Sequence, residues 1–282
     1  MSPRHTLHFT KMHGLGNDFI VFDAPPPPGR APTPSEVRAL AERRTGIGFD
    51  QALMLEPPRR AGTSLYYRIY NADGSEVEQC GNGARCIAAL LHRRGLAARD
   101  TLIAMDSPGG IVRAQVHSPE LVSVNMGVPN FDPHSLPFDA PREAPSYALE
   151  AAGETVQVGA VSMGNPHAVL TVPSVETAPV ERLGPAIEAH PRFAQRVNVG
   201  FMQIVDRADI RLRVFERGVG ETLACGTGAC AAVAVGRERG LLDSDVRVQV
   251  RGGQLRVNWA GRGEPLWMTG PAQVSFEGHV DL

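Results

Sequence analysis

From Ile210 to Phe215 the chain alternates Ile, Leu and Val with Arg, the period-two pattern of a strand that buries one face. Leu65 to Tyr70 is a second short β-rich run. After each comes a glycine-bearing CGxGA segment, then an apolar run that ends in basic residues and a glycine, the usual stop of a helix. The two apolar runs, Arg85 to Leu91 and Ala229 to Val235, have almost no polar face, and a helix apolar on all sides is buried on all sides. The pattern therefore predicts strand, loop and central buried helix, twice over.

The remaining pattern fills in around these units. Strands are expected at Leu7 to Thr10, Phe19 to Phe22 and Asp50 to Leu55, and a hairpin joins Thr101–Met105 to Ile111–Val116 through SPGG. Pro34 to Arg44 reads as a short helix, and Pro25 to Pro28 with Gly29 and Pro32 as a surface loop. Residues 130 to 145 are rich in Pro and Asp without periodicity, which places a domain junction there.

The two units are copies. Laying Cys80 on Cys225, an offset of 145 residues, also superposes Glu76 on Glu221, Gly81 on Gly226, Gly83 on Gly228 and Ala84 on Ala229. Ala89/Ala234, Arg94/Arg239, Gly95/Gly240 and Leu96/Leu241 complete nine identities within residues 71–96. At an offset of 148, Gly16 and Asn17 meet Gly164 and Asn165, and at 143 Gly109, Gly110 and Arg113 meet Gly252, Gly253 and Arg256. Two copies of so long a period make two domains rather than a solenoid. Residues 1–128 form the first, to which 271–282 can return, and residues 129–270 form the second. Two related domains are expected to face each other across a pseudo-twofold axis, with a cleft where equivalent cysteines meet.

Composition narrows the chemistry. At 282 residues and 43% hydrophobic, the chain suits either one large domain or two of ordinary size, and the internal repeat favours two. A net charge of −2 supplies no basic surface for nucleic acid. The N-terminus lacks the apolar segment of a signal peptide, and no apolar run reaches the roughly 18 residues of a membrane span, so a cytoplasmic protein is expected. Four cysteines in such a chain are thiols rather than a disulfide framework. The spacings from Cys80 to Cys86 and from Cys225 to Cys230 are not those of zinc sites, so no metal is expected and Cys86 and Cys230 read as packing residues. Lys11 is the only lysine and sits outside any recognisable pyridoxal site, which argues against a Schiff-base cofactor.

Cys80 and Cys225 each stand at a helix start, where unpaired N–H groups and the helix dipole favour an anion. A thiol there is more acidic than the free value of about 8.5, and glycines let a substrate carboxylate approach the same N–H groups. Taken singly, either motif reads more readily as an inert buried cysteine; the duplication favours function. Two such thiols on opposite sides of a small molecule suit removal of a proton from one face of a carbon and return to the other, and they would share one proton.

These segments, NADGSEVEQCGNGARC and ERGVGETLACGTGAC, with HGLGNDF near the start and MGNPH in the middle, resemble diaminopimelate epimerase over nearly the whole chain. The resemblance implies a mixed α/β (α+β) fold of two pseudo-twofold domains, each a sheet or barrel wrapped round a central helix. It implies cofactor-independent conversion of LL- to meso-diaminopimelate, a step toward lysine and peptidoglycan precursors, with Cys80 and Cys225 as the acid/base pair. His167 and Glu216 would lie near the reacting amine. Asn17, Gln51, Asn71, Gly81, Asn82, Asn165, Asn198, Glu216, Arg217, Gly226 and Thr227 would contact substrate, with Arg217 able to hold a distal carboxylate in a bidentate fork. The partner is an amino acid, and a homodimer is the assembly the resemblance allows. Three other readings stand beside it. A proline or hydroxyproline racemase shares the two-cysteine pattern, a thiol–disulfide oxidoreductase would want CxxC spacing, and a scaffold would want a structural disulfide.

Overall fold

The computed structural model describes residues 6–23, 31–77 and 80–282. The proline-rich stretch 25–29 lies outside them, and Pro32 at its end is buried rather than exposed. The chain divides into two compact units, residues 1–124 with 270–282, and residues 125–269. The Pro- and Asp-rich stretch 130–145 thus falls inside the second unit, where Phe138 stacks on Phe193 at 4.4 Å between ring centroids.

The first unit runs β1 (Thr6–Gly14), β2 (Asn17–Phe22), α1 (Pro34–Ala41), β3 (Gln51–Glu56), β4 (Tyr66–Asn71), β5 (Glu76–Val77), α2 (Gly81–Arg93), β6 (Leu102–Ser107), β7 (Gly110–Ser118) and β8 (Leu121–Asn125). β1 pairs antiparallel with β2, β2 parallel with β3, β3 antiparallel with β4 and β4 parallel with β6. β6, β7 and β8 then follow antiparallel. A C-terminal strand, Gln273–Asp281, returns to lie antiparallel on the free edge of β1. Thr33 caps α1 through a reciprocal capping box with Glu36. The helix ends at Ala41 rather than Arg44, because the Leu40 carbonyl already accepts from the amides of Ile47 and Gly48, which turns the chain back.

The second unit runs β9 (Tyr147–Ala151), β10 (Glu154–Ser162), β11 (Pro166–Thr171), α3 (Val180–Glu188), β12 (Asn198–Asp206), β13 (Asp209–Glu216), β14 (Gly220–Thr222), α4 (Gly226–Glu238), β15 (Asp245–Val250), β16 (Gly253–Asn258) and β17 (Trp267–Pro271). Its pairings from β10 to β17 repeat the first unit's strand for strand: antiparallel, parallel, antiparallel, parallel, antiparallel, antiparallel. β9 takes the place on β10 that the C-terminal strand takes on β1. The duplication legible in the cysteine motifs is therefore a duplication of topology.

Each unit buries one helix in its centre. In α2 every residue from Asn82 to Leu91 is buried, and in α4 every residue from Gly228 to Gly236. Fully burying a Val or Leu side chain contributes about 1.5–3 kcal/mol, so Ile87, Leu90, Val233 and Val235 anchor these helices strongly. Close approach is built in: a Cβ at Gly159 of β10 would stand 2.3 Å from Val235, so strand and helix pack here only because the side chain is absent. Cys86 and Cys230 are wholly buried, and burial pushes the Cys86 thiol up to about 12. They are packing groups.

Candidate active site

In the first unit the polar candidates gather around one row of the sheet. Phe19 of β2 is in register with Gln51 of β3, and Gln51 with Asn71 of β4. The Gln51 amide donates to Asn71 Oδ1 at 3.0 Å, and Asn71 in turn donates to Ser75 Oγ at 3.1 Å. Gln51 Oε1 is buried and accepts from no group among the described residues. An acceptor left in that state is costly, and an ammonium donor would satisfy it.

Asn17 is placed by the two-residue turn Leu15–Gly16, both at positive φ (59° and 86°), as a hairpin of type I′ requires. A buried Leu in that conformation is strained, a local departure that recurs where a structure must aim a functional residue. Asn17 donates to Asp50 Oδ2 at 3.0 Å and accepts from Asn82 Nδ2 at 3.2 Å. Asn82 Oδ1 accepts from Arg85 at 2.8 Å, so the fully buried Arg85 of α2 is spent inside the unit. Behind Asn17, Asp18 is bound by Lys11 at 2.7 Å and bidentately by Arg43. Burial opposes its ionisation, but these cations outweigh it and hold the carboxyl well below the usual range. The only lysine is thus a structural counter-ion.

The second unit repeats the row with different chemistry. His167 of β11 is in register with Asn198 of β12, and Glu216 ends β13 beside it. Asn198 is buried; it donates to the Pro166 carbonyl at 3.1 Å and accepts the backbone amide of Arg217 at 3.0 Å. It therefore sets where the Arg217 side chain begins. Arg217 itself is exposed, with one guanidinium nitrogen on the Gln195 carbonyl at 2.9 Å. His167 faces Asn165 Oδ1 at 3.0 Å through Nε2, while Asn165 Nδ2 reaches Thr227 Oγ1 at 3.4 Å. Burial, with the Arg217 charge adding to it, holds the imidazole down at about 3, so it is neutral at physiological pH. With Nε2–H directed at Asn165, Nδ1 is an acceptor.

The thiols occupy equivalent places in different surroundings. Cys80 and Cys225 are the N-cap residues of α2 and α4, both in extended backbone, followed by Gly81 and Gly226 as first helical residues. Cys80 is half-buried and its Sγ accepts from the Gly83 amide at 3.4 Å, a contact that stabilises negative charge on sulfur. Cys225 is buried, donates to Glu216 Oε2 at 3.2 Å and lies 3.6 Å from Thr227 Oγ1. Burial first, and the Glu216 carboxylate second, raise this thiol well above its usual range, with Thr227 opposing. Glu216 is held in turn by Thr222, whose hydroxyl donates to Oε1 at 2.5 Å.

The predicted residues thus form two clusters, one in each unit. Asn17, Gln51, Asn71, Cys80, Gly81 and Asn82 belong to the first, and Asn165, His167, Asn198, Glu216, Arg217, Cys225, Gly226 and Thr227 to the second. Sequence reasoning passed over Thr222, which steadies Glu216, and Glu188, a buried carboxylate at the end of α3 that accepts the Gly218 amide at 2.7 Å and so fixes the turn after Arg217. Thr222 lies within the segment ERGVGETLACGTGAC but carries no role there by residue type alone, and Glu188 lies outside every motif. It also passed over Arg68 and Arg213, which the offset of 145 superposes and could have revealed. Among the described residues, no group of three or more His, Cys, Asp or Glu side chains is arranged to hold a metal ion. No helix among them is long and apolar enough to cross a membrane.

Comparison with known proteins places this geometry. The chain is 57% identical over 278 residues to the diaminopimelate epimerase of Thioalkalivibrio sulfidiphilus, covering 98% of this chain and 99% of that one. It is 55% identical, with the same coverage, to that of Nitrosomonas eutropha. Among solved structures, a hydroxyproline epimerase from Agrobacterium vitis superposes with a TM-score of 0.70 over 100% of this chain and 94% of that one, at 17% identity. A phenazine biosynthesis protein of the PhzF family from Bacillus anthracis does so with 0.66 over 98% and 99%, also at 17%. At such identities the two structures show a shared fold alone. Residues 9–131 and 159–275 match the diaminopimelate epimerase family itself, and with relatives above half identity along nearly its whole length, the chain belongs to that family.

Proposed function

We propose that this protein epimerises LL-2,6-diaminopimelate to the meso isomer, without a cofactor, using Cys80 and Cys225 as a proton-transfer pair. The observation that carries the reading is a cysteine at the N-cap of the buried helix in each half of a duplicated chain that belongs to this family. In one direction the Cys80 thiolate removes the α-proton and the Cys225 thiol delivers a proton to the other face; in reverse the roles exchange. The Cys225–Glu216 contact suits a thiol that begins protonated. A substrate ammonium beside Glu216 would compensate the carboxylate that holds that thiol up, so binding substrate would itself prepare Cys225 to act as base in the opposite direction. The Nδ1 acceptor of neutral His167 and the unpaired Gln51 oxygen are further seats for amine donors. The N–H groups following Cys80 and Cys225 would hold the carboxylate as charge develops on the α-carbon. Arg217 would select a substrate with a second amino-acid end, which proline lacks.

The test is isotopic. Run in heavy water and stopped early, the reaction should give product labelled at the reacting carbon and leave substrate almost unlabelled, from either isomer. Cys80→Ala and Cys225→Ala should each abolish epimerisation in both directions. Substantial label in recovered substrate, near-normal epimerisation by either variant, or turnover of proline in place of diaminopimelate would overturn the proposal.

A further inference from the structure

Arg68 and Glu76 face each other across the β4–β5 hairpin, with Nε on Oε1 and Nη2 on Oε2, both at 2.7 Å. An offset of 145 superposes them on Arg213 and Glu221, which face each other across β13–β14 with the same nitrogens on the same oxygens at 2.6 and 2.8 Å. Both pairs span eight residues, and both glutamates precede a cysteine by four. Between the members of each pair the sequences have diverged, from IYNADGS in the first half to VFERGVG in the second. The fork has outlasted its surroundings in both halves. Partly exposed ion pairs contribute little to stability, but a bidentate fork fixes orientation as well as distance.

The second half shows what such a fork governs. β14 is three residues long, too short to hold its own register, and Glu221 sits at its centre in register with Phe215. The next residue, Thr222, donates to Glu216, and Glu216 accepts from the Cys225 thiol. Position therefore passes from Arg213 through Glu221 and Thr222 to Glu216 and the sulfur. Arg251 adds a second cation to Glu221 at 3.3 Å. In the first half β5 has only two residues, Glu76 and Val77, and the fork is again a side-chain tie between that strand and β4.

We propose that Arg68–Glu76 and Arg213–Glu221 are paired positioning residues, each fixing the cysteine of its own half; this rests on the reading that those cysteines carry the proton transfers. The forks touch no reacting atom. Their signature is selectivity, because a general loosening of the protein would reach both thiols.

Full-length Glu221→Gln and Glu76→Gln keep size and lose the charge. Each is treated with iodoacetamide, alkylation is followed at each cysteine by peptide mass spectrometry, and epimerisation kinetics are measured alongside. Glu221→Gln should speed alkylation of the buried Cys225 about fivefold or more and leave Cys80 within about twofold, while Glu76→Gln changes Cys80 and spares Cys225; for either, kcat should fall about tenfold with KM within about twofold, as small displacements of reacting groups do. Alkylation that changes at both cysteines alike, at neither, or only at the cysteine of the opposite half overturns the proposal, as does a raised KM with kcat unchanged. Arg213→Lys, which keeps the charge without the planar fork, should move Cys225 in the same sense and serves if Glu221→Gln fails to fold. Normal epimerisation by the cysteine-to-alanine proteins would sink the underlying reading, whereas the alkylation pattern still judges the forks.

Discussion

His167→Gln should flatten the acid side of the stability profile. The imidazole is 1% exposed, and burial, aided by the Arg217 charge, holds it at about 3 against an ordinary 6.5. Between those values the unfolded chain takes up a proton that the folded protein refuses. Stability is therefore fully present above pH 6.5 and is lost as the pH falls toward 3. Each pH unit costs about 1.4 kcal/mol, so a drop of two units below 6.5 removes roughly 3 kcal/mol, and the full window of 6.5 − 3 = 3.5 units roughly 5 kcal/mol. Against a total of about 5–15 kcal/mol for a folded domain, that is a large share. Glutamine keeps a donor for Asn165 and does not titrate. Urea unfolding of both proteins in steps from about pH 7.5 to about pH 4.5 gives the difference in unfolding free energy, in which the carboxylates common to both cancel. The wild type should lose its advantage, or deepen its deficit, steadily below pH 6.5. Parallel curves would show that His167 protonates freely in the folded protein and would refute the account of its burial.

Arg217→Lys keeps the charge and loses the planar fork; if the fork holds the distal carboxylate, kcat/KM for diaminopimelate should fall by about 2 kcal/mol or more, and unchanged kinetics would remove Arg217 from the site. Gly228→Ala places a methyl 3.0 Å from Val214 Cγ2 and 3.3 Å from the Cys225 sulfur. Overpacking of about 1–3 kcal/mol should appear as a lower melting temperature together with reduced kcat, and a fully active, equally stable variant would show that the thiol tolerates displacement.

Much of this was legible because duplication amplifies weak signals. A single CGxGA says little, whereas two at one offset marked both cysteines as N-caps, and the structure places them so. Strands with clean alternation, such as β13, could be read at once. α3 could not: VERLGPAIE carries Gly184 and Pro185 in its interior, and the helix holds because Val180, Leu183 and Ile187 are buried, a tertiary fact that propensity does not contain. Nor could sequence show that Arg85, inside an apolar helix, is wholly buried on Asn82 and the Pro271 carbonyl. Its partner lies 186 residues away along the chain. The environments that separate Cys80 from Cys225 were equally hidden, since Thr222 and Glu216 acquire their roles only when β13 and β14 pair.

The C-terminal strand has a consequence for how the protein is made. Residues 125–269 form a unit from one continuous stretch, so on the ribosome it can close as soon as that stretch has emerged. The first unit emerges earlier but cannot close earlier. β1 pairs with residues 273–281 from Thr6–Asp281 to His13–Gln273, and that edge stays open until the second unit has been synthesised. Birth order and completion order are thus reversed. During that interval the nascent first unit presents one open edge of β1, the strand that contains the buried residues Leu7, Phe9 and Met12, and this edge is the segment on which a chaperone would be expected to act.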